Sequence, residues 1–232
     1  MNPTRNVAVL IFNDVEVLDF AGPFEVFSVA KRQDSSHPFN VYTVAETTPI
    51  LARNALSINP SYALDNCPKP DILIVPGGGG YRADGTPYGT RKEIHNQRLL
   101  SWIEQQSETT EKLLSVCTGA LLLAKIGLLE GKVATTHQGA IAQLTKMLSA
   151  EQVHSEARIA DNNNIILSGG ISAGIDASLY IVAKLLGLDR AVETAKYMEY
   201  DWDYKQLKVV TSLDTDSSFQ TVFDAANPSD SL

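Results

Sequence analysis

The sequence has little cysteine, with only Cys67 and Cys117 among its 232 residues. Two thiols so far apart argue against a disulfide framework and favour a reducing compartment, so we expect a cytoplasmic protein. Basic residues are outnumbered, 19 against 27 acidic ones, and the net charge of −8 makes nucleic acid an unexpected partner. No apolar run approaches the roughly 20 residues that span a bilayer, and the opening run 7–12 lacks signal-peptide features, so no membrane partner is expected.

Short apolar runs alternate with helical patterns, which is typical of a parallel sheet covered by helices. The chain is 44% hydrophobic and long enough to bury a core without a disulfide or metal. We predict strands at 7–12, 40–45, 71–75, 112–116 and 133–136, and hairpins at 51–58 and around 161–164. We predict a loop over 13–22, and helices that begin at Pro23 and span 91–106, 120–126, 139–148, 172–186 and 189–197.

A buried strand that stops at Cys117 carries the strongest sign of chemistry. The apolar segment 112–116 precedes it, and small residues lead from it into a predicted helix. A side chain on such a turn stands at the carboxyl edge of the sheet, where α/β proteins place their sites. The helix N-terminus that follows offers free N–H groups and a partial positive charge, which favour a thiolate. Cys117 is therefore a candidate nucleophile, and the alternative is a small buried hydrophobic residue.

Four glycines at 77–80 follow the strand 71–75 and are predicted at the same edge. Glycines let backbone N–H groups approach a substrate closely, so with the N–H of Thr118 they could complete an oxyanion hole.

Asp19 is flanked by apolar residues in the loop predicted after the first strand, an unusual setting for a solvated carboxylate. Its alternative roles are a helix cap or a loop hydrogen bond. If it faces Cys117, the two acids would share one proton and titrate together. That proton could then move between sulfur, carboxylate and substrate.

Three further patterns are weaker. Residues 170–174 match the G-x-S-x-G turn of serine hydrolases, but all four histidines precede Ser172, which we expect to cap a helix instead. Residues 78–83 match G-x-G-x-x-A, but no acid ends the next strand as a dinucleotide site requires. No Cys or His pair has metal-ligand spacing. His137 ends a predicted strand and could border the Cys117 pocket, although a lone His is more often structural.

Four segments occur in a characteristic order: 71–80 (DILIVPGGGG), 115–120 (SVCTGA), 127–137 (GLLEGKVATTH) and 169–176 (GGISAGID). Together they resemble the ThiJ/PfpI superfamily, and within it the isocyanide hydratase branch. The resemblance implies a flavodoxin-like three-layer α/β sandwich, commonly a homodimer, with a mostly parallel sheet and helices on both faces. We expect this domain over residues 1–200, and an acidic C-terminal extension over 201–232 that packs on it or trails from it.

The resemblance also implies roles for individual residues. Cys117 would attack the terminal carbon of an isocyanide, R–N≡C, and Asp19 would relay protons and activate water. Thr118 would hold the thiol, and the backbone N–H groups of Gly78 and Thr118 would stabilise charge. The product would be an N-substituted formamide, and no metal or organic cofactor is implied. Two further residues are candidates for the pocket wall, namely Gly79 and His137.

The sequence departs from the family in two places. Thr118 stands where the superfamily's proteases carry a His, which argues against a Cys–His protease. Gln138 replaces a common aromatic residue, which predicts a more polar pocket. Transcription regulators that carry this domain add a basic helix-turn-helix, for which the acidic tail after Asp201 has neither the length nor the charge.

We predict a hydratase acting on an isocyanide or a similar small electrophile. Two alternatives stay open at this stage: a redox or ligand-sensing module in which Cys117 is oxidised rather than turning over substrate, and an amidase-like hydrolase.

Overall fold

The structure, a computed structural model, describes residues 3–212. Its main sheet has eight strands, in the spatial order β12-β10-β11-β9-β6-β1-β2-β5, and two small two-stranded sheets, β3-β4 and β7-β8, lie outside it. All neighbours in the main sheet are parallel except the antiparallel pair β10 and β11. The strands are β1 (Arg5–Leu10), β2 (Phe39–Ala45), β3 (Ile50–Leu51), β4 (Ser57–Ile58), β5 (Tyr62–Ala63), β6 (Ile72–Val75), β7 (Gly79–Tyr81), β8 (Pro87–Gly89), β9 (Lys112–Ser115), β10 (Ile159–Asn162), β11 (Ile165–Ser168) and β12 (Val209–Thr211).

Seven α-helices accompany these strands in the described part of the chain: α1 (Val17–Val29), α2 (Thr90–Glu93), α3 (Gln97–Ser107), α4 (Ala120–Lys125), α5 (Ile141–Met147), α6 (Ala173–Leu186) and α7 (Leu188–Tyr197). Helices α1, α6 and α7 contact one another, and α4 contacts both α2 and α5. All four residues of β6 are fully buried, as both faces of a parallel sheet must be when helices cover it. The predicted α/β class with a mostly parallel sheet is confirmed.

Four adjacent parallel strands end at one edge of the sheet. In spatial order these strands are β11, β9, β6 and β1. The segments that follow them contain Gly169, Cys117, Gly77 and Asp19 respectively. Because parallel strands bring their carboxyl ends to one edge, segments distant in sequence converge there.

The prediction of a loop over 13–22 is wrong, because α1 already begins at Val17 and Pro23 lies inside it. A proline normally breaks a helix or occupies its first turn, so the Gly22–Pro23 pair suggests a later start. Tertiary packing overrides this local preference: a Cβ placed on Gly22 would lie 2.9 Å from Cγ1 of Ile175 on α6. Asp19 is consequently a helical residue.

Three other local predictions need correction. The predicted helix 91–106 is two helices, because the Asn96 side chain accepts a bond from the Leu99 N–H and starts α3 anew. The predicted strand 133–136 is a single bridge between Ala134 and Val153. Ser172 makes no capping bond; its hydroxyl accepts from Arg158 at 3.1 Å instead.

The acidic extension predicted from residue 201 is partly described. Its residues 209–211 form β12, which pairs with β10 at the edge of the main sheet. Residues 213–232 lie outside the described residues, and the domain boundary at residue 200 stays a prediction. Within residues 3–212, no helix has both the length and the apolar character needed to cross a membrane.

Helix α4 starts so close to β6 that Gly119 cannot carry a side chain. A Cβ there would lie 2.1 Å from the Val75 carbonyl oxygen. We expect Gly119→Ala to lower the free energy of unfolding by about 3 kcal/mol, because rigid backbone must move to relieve the clash. Urea unfolding measures this as a lower midpoint at an unchanged slope.

Gly169→Ala is the matched control, since its Cβ would meet no atom closer than 3.7 Å. We expect its unfolding midpoint to stay close to that of the wild type. Equal midpoints for the two variants would contradict the steric explanation.

Candidate active site

Cys117 occupies a sharp turn between β9 and α4. Its φ of 57° is left-handed, which is uncommon for a residue with a side chain. The turn is held by its own backbone: the Cys117 N–H donates to the Gly169 carbonyl at 3.0 Å, and the Cys117 carbonyl accepts from the Thr136 hydroxyl at 2.7 Å. These bonds fix the direction in which the side chain leaves the sheet edge.

Cys117 is 5% exposed, and three groups interact with its thiol. The backbone N–H groups of Thr118 and Ile171 point at the sulfur, and the Asp19 carboxyl contacts it from the other side. Ile171 reaches this position with a φ of 51°, an outlier for a β-branched residue. The sulfur is thus surrounded by two fixed donors and one acid.

Asp19 is fully buried on α1. Its Oδ2 accepts from the Gly77 N–H at 3.0 Å, while Oδ1 has no hydrogen-bond partner in the described part of the chain. The carboxyl lies close enough to Cys117 for each group to shift the pKa of the other. The structure therefore brings Asp19 and Cys117 together, although they are distant in sequence and lie on different elements.

Burial sets the protonation of this pair. It raises the pKa of Asp19 to about 7, against the lowering effect of the Gly77 and Cys117 hydrogen bonds. It also raises the pKa of Cys117 to about 12, with a further increase from the charge of Asp19, while the Ile171 and Thr118 N–H groups oppose the shift. At neutral pH the site holds a protonated thiol beside a carboxyl that is close to half ionised.

Thr118 connects the turn at Cys117, called the elbow below, to the glycine segment 77–80. Its hydroxyl oxygen accepts from the Gly78 N–H at 2.9 Å and lies 3.0 Å from the Thr90 hydroxyl. The backbone N–H of Thr118 also points at the sulfur, and the thiol-holding role of this residue stays a prediction. The Gly78 N–H is already engaged with Thr118, so its predicted donation to a substrate would have to share that bond.

A cavity of about 690 Å³ opens above Cys117, within the range of small-molecule sites. The predicted pocket residues Gly79 and His137 both line it. His137 also accepts from the Gly139 N–H through Nδ1, at 3.1 Å. Gln138 lies along a neighbouring groove rather than among the residues lining the cavity, so the polar pocket predicted from it stays a prediction as far as this residue is concerned.

The polar character of the cavity comes from residues that the sequence analysis did not identify. Arg53 reaches the cavity as the ion-pair partner of Glu16, and Arg82 stacks 4.9 Å above the ring centroid of Tyr88. Arg91, on α2, is buried at the same cavity. No motif surrounds these residues. Arg53 lies between β3 and β4, Arg82 in the turn between β7 and β8, and Arg91 on α2, so only the fold brings them to one cavity.

The described residues hold no cluster of three His, Cys, Asp or Glu side chains able to bind a metal ion. The groups around Cys117 are a thiol, a carboxyl group and oriented backbone donors.

The chain is similar in sequence to several known proteins. The sequence profile of the DJ-1/PfpI family matches residues 5–184. An isonitrile hydratase of Pseudomonas putida is 32% identical over 195 residues, 84% of this chain and 78% of the relative. The transcriptional regulator CdhR of Pseudomonas aeruginosa is 28% identical over 87% of this chain, which spans 58% of that regulator.

Solved structures share the fold. A ThiJ/PfpI family protein from Pseudomonas syringae superposes with a TM-score of 0.72 at 28% identity, covering 86% of this chain and 76% of its own. Oxidised DJ-1 of Toxoplasma gondii superposes with a TM-score of 0.69 at 16% identity, covering 86% and 100%. These neighbours confirm the predicted flavodoxin-like fold class.

The raised pKa of Asp19 predicts that stability depends on pH. The unfolded carboxyl ionises near its ordinary 3.8, but in the fold its pKa is about 7. Between these two pKa values the folded state retains a proton that the unfolded state has lost, so the free energy of unfolding falls as the pH rises towards 7. Above about pH 7 both states have lost the proton, and the contribution of Asp19 no longer changes with pH. Asp19→Asn escapes this loss and can still accept the Gly77 bond. We expect the variant to gain roughly 2 kcal/mol on the wild type between about pH 5.5 and about pH 9, measured by urea unfolding.

Asp84→Asn provides the control. Hydrogen bonds from Thr86 lower the pKa of this exposed carboxyl, so it is ionised throughout that pH range in both states. Its difference from the wild type should not change with pH. A pH-independent difference for Asp19→Asn as well would contradict a buried, proton-retaining carboxyl.

Proposed function

The chain belongs to the DJ-1/PfpI family, and from this premise we propose that it is a cysteine-dependent hydratase converting an isocyanide, or a similar small electrophile, into an N-substituted formamide. Membership confirms the predicted relation to ThiJ/PfpI proteins. The observation that carries the proposal is the contact between the Cys117 thiol and the buried Asp19 carboxyl beneath a small-molecule cavity. The 32% identity to an isonitrile hydratase supports it.

In the first step, the ionised carboxylate of Asp19 accepts the thiol proton as the sulfur of Cys117 attacks the terminal carbon of R–N≡C. The same carbon receives that proton, and the product is a thioimidate, R–N=CH–S, on the protein. The N–H groups of Thr118 and Ile171 stabilise the negative charge that develops on sulfur before the new bond is complete. Asp19 is again ionised when this step ends.

In the second step, water adds to the thioimidate carbon. Asp19 accepts one proton from the water and passes it to the substrate nitrogen, which gives the tetrahedral adduct R–NH–CH(OH)–S. The C–S bond then breaks with its electron pair returning to the sulfur of Cys117, while the hydroxyl proton of the adduct passes through Asp19 to that sulfur and a carbonyl forms. The product is the formamide R–NH–CHO, so the net reaction is the addition of one water molecule.

The protonation of Cys117 bears on the alternatives. Oxidation by peroxide requires a thiolate, and burial raises the pKa of this thiol to about 12, so little thiolate exists at neutral pH. A hydratase in which Asp19 removes the proton only during attack is consistent with a thiol that is protonated at rest. An amidase gains no support from Thr118, which supplies no acid or base where a protease-like member has its His.

We further propose that the protein works in the cytoplasm as a homodimer. Both cysteines are free in the structure, as a reducing compartment requires. Light scattering during size-exclusion chromatography tests the dimer.

The mechanism predicts the pH dependence of activity and its loss in one variant. Attack requires ionised Asp19, so kcat/KM for formamide formation from cyclohexyl isocyanide should rise with pH through about 7 and then level. Asp19→Asn cannot accept the thiol proton and should lower kcat by a factor of about 10² or more. Chromatographic quantification of N-cyclohexylformamide measures both.

The exposed Asp84→Asn variant should retain wild-type turnover, and Cys117→Ala defines the background rate. A flat pH profile across neutrality, or near-wild-type turnover by Asp19→Asn, would remove Asp19 from the mechanism.

A further inference from the structure

A buried cation without a partner lies at the cavity. The side chain of Arg91 is 9% exposed and lines the same cavity as Cys117. Its Nε has no hydrogen-bond partner, and no ion pair or hydrogen bond involving Arg91 occurs among residues 3–212. Burying a charge without compensation is unfavourable, so a guanidinium in this state is suited to bind an anion.

The position of Arg91 relative to the thiol is well defined. The preceding residue, Thr90, donates its backbone N–H to the Gly78 carbonyl at 3.1 Å, and its hydroxyl lies 3.0 Å from that of Thr118. Thr118 is the residue after the nucleophile. Two short links therefore hold the start of α2 against the elbow, and Arg91 is presented to the cavity at a fixed place.

The other charged groups at the cavity do not neutralise Arg91. Arg53 and Glu16 satisfy each other, and Arg82 stacks on Tyr88. Asp14 lines the cavity without an ion pair to Arg91. Burial lowers the pKa of Arg91, but an arginine stays protonated at every pH the protein meets.

We propose that Arg91 binds a carboxylate of the substrate, so that the preferred electrophile is an isocyanide bearing a carboxylate group. A planar guanidinium matches a carboxylate with two parallel hydrogen bonds. Among residues 3–212, Arg91 is the cation at this cavity with neither an ion pair nor an aromatic partner, and the acidic side chains of Asp14 and Glu16 also line the cavity, which favours a monoanion over a phosphate dianion. This inference rests on the proposed hydratase function and names its substrate class.

The test compares isocyanoacetate with its neutral ethyl ester. In the wild type, kcat/KM for isocyanoacetate should exceed that for the ester at least tenfold, mainly through a lower KM. Arg91→Gln should reduce this ratio at least tenfold, and Arg91→Lys should restore part of it. Lys92→Gln is the matched control, because it removes an exposed cation from the same helix that does not line the cavity, and should change the ratio less than threefold. Circular dichroism and thermal melting establish that each variant is folded.

Binding separates this inference from the hydratase proposal. N-formylglycine, the formamide expected from isocyanoacetate, should bind to the wild type in a calorimeter, and more weakly by at least tenfold to Arg91→Gln. Such binding without turnover of any isocyanide would refute the hydration chemistry and leave the carboxylate site standing. Equal turnover of acid and ester, or a ratio unaffected by Arg91→Gln, would overturn the carboxylate site while leaving the hydratase intact.

Discussion

The left-handed backbone of Cys117 at the end of β9 is the constraint on which the site depends. In that conformation the thiol leaves the sheet edge between the N–H groups of Thr118 and Ile171 and meets the carboxyl of Asp19. The turn persists because its amide and carbonyl are bonded to Gly169 and Thr136. The strained backbone of Cys117 persists because the rigid sheet around it determines its conformation.

Several individually unfavourable features are concentrated within this small region. The left-handed Ile171, the buried carboxyl of Asp19 and the unpaired guanidinium of Arg91 would each be selected against in an ordinary core. Burial of the apolar strands that lead to this region offsets the unfavourable free energy of these features. Their co-location at one sheet edge is the physical signature of a site maintained for chemistry rather than for folding.

The sequence predicts the sheet and the turn at Cys117 well, because both depend on patterns within short segments of the chain. The apolar run before Cys117 and the glycines after β6 indicate buried strands and the edge at which they end. The sequence also draws attention to Asp19, since an acid between apolar neighbours is unusual. It predicts a loop at Asp19, whereas α1 begins at Val17. The packing of Gly22 against α6 allows the helix to start before Pro23, the residue at which the sequence places its first turn.

Other parts of the site have no local signature. The contribution of Ile171 depends on its left-handed φ, which its residue type disfavours, so only coordinates reveal it. Arg91 follows an ordinary hairpin in sequence. Its importance arises because, among residues 3–212, no acidic side chain forms an ion pair with it. Propensity and periodicity describe what each segment prefers, whereas burial and the absence of a partner are properties of the assembled fold.

The hairpin β7-β8 sits outside the main sheet and bonds to the elbow through the backbone of Gly78 and the hydroxyl of Thr90. Its remaining side chains, among them those of Arg82 and Tyr88, are therefore nearly independent of the machinery at Cys117. Descendants of this protein can exchange them to accept new molecules while inheriting the reactive centre unchanged. One ancestral scaffold thus has a separate module on which evolution can alter ligand choice.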